Sequence, residues 1–70
     1  MRHVRYPATV ELIPGVMKAG DAHKALGISR GVALHWRRKL GMPASDRHGF
    51  INSAELAKFL IERGVRIVWV

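Results

Sequence analysis

The chain contains no cysteine, so neither a disulfide framework nor a thiolate metal site braces it, and its chemistry suits a reducing compartment. No uninterrupted apolar run approaches the roughly 20 residues that cross a bilayer. The N-terminal MRHVRYPATVELIPG lacks the continuous hydrophobic core of a signal peptide, so a soluble, unexported, cytoplasmic protein is expected. Acidic residues are scarce: five Asp and Glu stand against twelve Lys and Arg, a formal charge of +7 that favours a polyanionic partner over an acidic small molecule. Aromatic residues are few as well, two Trp, one Tyr and two Phe with no adjacent stacking pair, which argues against recognition of structured RNA.

What is present reads as a single domain over residues 1–70, small enough that its stability is marginal. There is no repeat and no low-complexity tract. Residues 8–13, ATVELI, alternate loosely between Pro7 and Pro14-Gly15, which suits a short strand or an extended arm. Residues 17–26, MKAGDAHKAL, place Ala22, Ala25 and Leu26 on one helical side, with Gly27 as a left-handed stop. Ser29 is a good N-cap for a second helix from Arg30 to about Leu40, which Gly41 and Pro43 end. Its buried stripe is Val32 or Ala33, with Trp36 and Leu40. Arg30, Gly31, Leu34, His35, Arg37 and Arg38 then face outward.

Residues 44–51, ASDRHGFI, have the composition of a hairpin whose tip carries Arg47 and His48. Asn52 and Glu55 resemble a capping box, and Leu56, Phe59 and Leu60 form the apolar face of a third helix from Ser53 that ends at Gly64. The tail VRIVWV alternates as a strand with both faces rather apolar; it needs a partner, either ATVELI or a second copy of the chain. The sum is mainly α with a small β component: three helices, a short hairpin and a terminal strand.

The stretch DAHKALGISRGVALHWRRKLGMPAS resembles the winged helix-turn-helix of the family that includes phage excisionases and the DNA-binding heads of MerR-type regulators. Leu26, Gly27, Ile28 and Ser29 match the family's turn, Trp36 its buried aromatic, and Met42-Pro43 the entry to its wing. Phe50-Ile51 and the helix from Ser53 match the next segment of the family pattern. The likeness covers about residues 16–63. It departs at His23, where the family prefers a small residue, and at Gly31 and Val32, where polar Ser or Thr often reach DNA.

The resemblance implies a sequence-selective binder of double-stranded DNA, nucleoid-associated: a small prophage-type transcriptional regulator or an excisionase, that is, a recombination directionality factor. The expected DNA-binding residues are Ser29, Arg30, Leu34, His35, Arg37, Arg38, Lys39, Arg47 and His48. Arg30 and Arg38 would approach base edges or phosphates, Arg37 and Lys39 would grip the flanking backbone, and Leu34 or His35 would meet a thymine methyl or a phosphate. Trp36 is read as a core anchor, not a base-stacking platform. A homodimer or cooperative array through Val65–Val70 is expected, since one such domain covers about half of a useful site. The alternative function is a phage-encoded inhibitor that uses the same fold to bind a host protein, a regulator or a nucleic-acid machine.

His3, His23, His35 and His48 show no paired ligand spacing, so neither a metal nor another cofactor is expected. Asp21, His23 and Ser29 form no triad. A cap and two helix-surface residues account for them, and the chain is not expected to be an enzyme.

Overall fold

Strand formation at the start of the described chain follows from alternation: Val10 and Leu12 are buried while Thr9 and Glu11 are exposed, giving β1 at Thr9–Leu12. The computed structural model describes residues 6–70; His3 lies outside the described residues. After Pro14-Gly15 come β2 (Val16–Lys18), α1 (Ala19–Leu26), α2 (Arg30–Lys39), β3 (Phe50–Asn52), α3 (Ser53–Ile61) and β4 (Arg66–Trp69). The fold is mixed α/β, not the mainly α arrangement that the helical periodicities suggest.

Two strand pairs close the chain on itself. β1 and β4 run parallel, Thr9 opposite Arg66 through Leu12 opposite Trp69, so the first and last strands join with every other element as their crossover. The apolar tail therefore finds its partner within the chain. β2 and β3 run antiparallel, Val16 opposite Asn52 and Met17 opposite Ile51.

That second pair corrects two expectations. Met17 and Lys18 do not open the first helix; they are strand, because Met17 is drawn to Ile51 and both side chains are buried at their register point. Residues 44–51 do not form a hairpin of their own. The strand partner of Phe50–Asn52 lies before α1, and residues 46–50 are a tight loop. The loop is tied by the Asp46 carboxylate, which accepts from the amides of His48 (2.8 Å) and Phe50 (3.0 Å).

Between the two sheets sits one core. Leu12, Ile51, Leu56 and Leu60 are sealed from solvent, with Leu26, Met42 and Val65 packed beside them. α3 contributes most because Leu56, Phe59 and Leu60 recur at helical spacing, with Ala57 beside them. Its N-terminus is capped as the sequence predicts: Asn52 Oδ1 accepts from the Glu55 amide at 3.1 Å. The helix ends earlier than Gly64, at Ile61, and a turn carries the chain to the buried Val65.

An aromatic cluster locks α2 to α3. Tyr6 lies 5.0 Å from Trp36 and 6.4 Å from Phe59, centroid to centroid, in tilted and edge-on geometries that satisfy the ring quadrupoles. Arg63 completes it: its guanidinium lies 3.8 Å above the Phe59 ring and donates to the carbonyls of Phe59 (3.0 Å) and Leu40 (2.8 Å). The charge that sequence alone would send to solvent here ties the ends of two helices. Arg63→Met is expected to lower stability by about 2 kcal/mol through the loss of those charged hydrogen bonds, measured by urea unfolding. No change in the midpoint would mean that the staple carries no weight.

Candidate nucleic-acid interface

The turn between α1 and α2 is built by local chemistry. Gly27 adopts φ 68°, a left-handed conformation in which a Cβ is strained. The amide of Gly27 donates to the Lys24 carbonyl and that of Ile28 to the His23 carbonyl, the paired bonds of a Schellman stop. Ile28 tucks partly into the core, and Ser29 Oγ then accepts from the Val32 amide at 3.2 Å to start α2. Two helices are thus separated by three residues.

On α2, successive residues turn by roughly 100°, so Ala33, Trp36 and Leu40 share one side. Ala33 is fully buried and Trp36 is 3% exposed, whereas Val32 is 41% exposed; the stripe runs through Ala33, not Val32. The Trp36 carbonyl also accepts from the amides of Leu40 and Met42, which fixes the helix end. With the indole inside, Gly31, Leu34, His35 and Arg38 stand on the opposite side, all exposed, and Lys39 is exposed at the last turn. The helix carries no acidic residue, and Arg37, Arg38 and Lys39 lie where the negative end of its dipole favours cations.

Arg37 departs from the outward placement. It is half-buried, its Nε is enclosed, and that N–H has no hydrogen-bond partner in the structure. A buried unsatisfied donor costs about 1–3 kcal/mol, so its retention calls for a reason. Arg37 lies seven residues from Arg30, nearly two turns, and the two share the flank of α2 that faces His23 of α1. The sequence pattern groups Arg30 with Arg38; the structure groups it with Arg37.

His23, Arg30 and Arg37 line a recess of about 400 Å³, whose far wall is formed by Ser45 and Gly49 of the loop. Burial, and then the charges of Arg37 and Arg30, hold the His23 imidazole below its ordinary pKa. His23 thus occupies the place where the family pattern has a small residue, and it lines the recess. In the loop, the Phe50 amide above all holds the Asp46 carboxyl below the usual range against desolvation, with the His48 amide and imidazole and the Gly49 amide adding to it.

The predicted residues thus fall into four groups. Ser29 is a helix cap with its oxygen committed to Val32. Leu34, His35, Arg38 and Lys39 form the exposed surface of α2, while Arg30 and Arg37 turn toward the recess. Arg47 and His48 are exposed at the tip of the Asp46-tied loop, which borders the same recess. Among the described residues no group of three His, Cys, Asp or Glu side chains is placed to hold a metal ion. Nor is any described helix long and apolar enough to cross a membrane.

Sequence reasoning missed His23 and Arg63. The spacing of Arg30 and Arg37 was a visible signal for the first; nothing local marks the second, whose acceptor at Leu40 lies 23 residues away. No known protein family, curated protein or solved structure matches this chain.

Proposed function

We propose that the chain is a DNA-binding protein of helix-turn-helix type, a small prophage-type transcriptional regulator or excisionase without catalysis, in which α2 enters the major groove. The observation that carries this reading is the division of α2: Trp36 anchors one side in the core, and the acid-free opposite side presents Arg38, His35 and Leu34, flanked by Arg30 and Lys39. A rigid rod so anchored offers its cations as one probe, in the manner of a recognition helix. The loop carrying Arg47 and His48 takes the part of a wing against the adjacent backbone, though it is one turn and not a two-stranded hairpin. Phosphate contacts supply affinity, and the few side chains at the helix centre supply selectivity. The test is duplex binding by fluorescence anisotropy over a salt series, wild type beside Arg38→Ala/Lys39→Ala.

Binding as a homodimer or cooperative array belongs to this reading, with β4 as the meeting place. Val65 is committed to the core, so the contact narrows to Val68–Val70, where Trp69 is 48% and Val70 74% exposed. β4 pairs with β1 on one side, and its other edge is free among the described residues.

The same edge favours a second reading, a phage-encoded inhibitor that docks on a host regulator or nucleic-acid machine. Ile13, Val68, Trp69 and Val70 are large, apolar and exposed around one end of the parallel sheet, as protein-contact residues are. Trp69→Asp separates the readings. Under the first it flattens a cooperative DNA titration; under the second the wild-type chain has no duplex affinity to lose, and the substitution eliminates co-purification with the host protein.

A further inference from the structure

From the recess bounded by the start of α1, the flank of α2 and the Asp46-tied loop, we infer a phosphate-binding pocket in which Arg30, Arg37 and His23 clamp one phosphate group. Three observations converge. The recess, about 400 Å³, has room for a phosphate with water, and its walls near the cations are low, since Gly20 and Gly49 bring no side chains. Two guanidinium groups and an imidazole meet there with no carboxylate among the lining residues, an arrangement that repels itself until an anion enters. The enclosed Arg37 N–H has no acceptor in the structure, and a phosphate oxygen is the acceptor that a guanidinium edge fits in two parallel bonds.

The surroundings of His23 give the pocket a pH signature. Arg30 and Arg37 face it from α2, while Ser45, Gly49 and Ile51 line the recess from the loop and β3 without charge. On α1 the nearest titratable neighbours, Asp21 and Lys24, are exposed, and Asp46 of the loop is turned onto backbone amides. With the pocket empty, burial and the two arginines disfavour the imidazolium. A bound phosphate offsets those charges and accepts the imidazolium proton in a hydrogen bond, so the His23 pKa rises on binding. The bound state then holds more protons, and affinity grows as pH falls through the interval between the bound and free values.

The phosphate has two sources, the backbone of a duplex or a free phosphate or nucleotide, and one experiment separates them. Imidazole resonances of His23, identified by their disappearance in His23→Gln, are followed by NMR against pH in sodium chloride, in sodium phosphate of equal ionic strength, and with a short duplex. The expected result is an upward move of the His23 midpoint, with at least about a tenfold loss of phosphate affinity in Arg37→Met. Circular dichroism checks the folding of that variant, and His23→Gln, at a half-buried polar position, tests the pH dependence separately. A shift with phosphate alone assigns a free ligand and leaves the DNA reading without this contact; a shift with duplex assigns the backbone. If neither phosphate nor duplex moves the midpoint, or if folded Arg37→Met binds as wild type does, the pocket is overturned, even where the duplex still binds through Arg38 and Lys39.

Discussion

Replacing Trp36 by alanine is expected to strip away a large part of the chain's stability. The indole is 3% exposed and lies 5.0 Å from the tilted Tyr6 ring, which in turn meets Phe59, so its removal opens a cavity where α2 joins the body. Truncating a buried tryptophan costs about 3–5 kcal/mol. A domain of this length holds roughly 4–10 kcal/mol in total, at about 0.05–0.15 per residue. The expected fall in Tm is thus roughly 15–30 °C by calorimetry. Trp36→Phe keeps a ring against Tyr6 and is expected to lose far less. Tryptophan fluorescence gives a second check: in a Trp69→Phe background the remaining indole should emit as a buried one, since the other tryptophan, 48% exposed, has been removed. A Trp36→Ala protein that melts with wild type would detach α2 from the core and undo the argument for a rigid probe.

The second large effect is on salt. Arg30, Arg38, Lys39 and Arg47 are exposed around α2 and its neighbouring loop, and Arg37 lines the adjoining recess. If Arg30 and Arg37 share one phosphate and Arg38, Lys39 and Arg47 neutralise one each, four contacts give a slope of about −3.6 for the logarithm of the association constant against that of salt concentration. Raising salt from about 50 to about 200 mM then weakens duplex binding roughly 150-fold. Arg38→Ala/Lys39→Ala removes two of the four, and the same step should cost only roughly 12-fold. A wild-type slope near zero would end the DNA reading. An unchanged slope in the double variant would move the interface away from the outer side of α2. Because Arg38 and Lys39 lie outside the recess, the change of slope in the double variant and the His23 titration fail independently.

The exposed cations of α2 and the apolar end of the parallel sheet belong to different parts of the fold. Trp69 pairs in register with Leu12 of β1, whereas α2 is separated from both strands in sequence and packs through Trp36 on the Tyr6 ring, which in turn meets Phe59.

Sequence alone determined the features set by neighbours along the chain. Gly27, Ile28 and Ser29 dictate a stop and a cap within six residues, and the bonds to Lys24, His23 and Val32 are the ones that these residue types make. The two sides of α2 and the apolar face of α3 follow from helical spacing, and Asn52 caps the helix it was read to cap. Tertiary structure alone decided the features whose partner lies far away. Met17 and Lys18 suit a helix until Ile51 and Phe50 come opposite them as a strand, and the same pairing dissolves the expected hairpin at 44–51. Arg37 reads as one more outward cation until His23 and the Asp46 loop close a recess around it, and no local pattern marks Arg63, which donates to the Leu40 carbonyl at 2.8 Å. The physical reason is common to these cases. Periodicity and capping are written in the order of residues, but a buried polar group takes whichever distant partner the folded core brings to it.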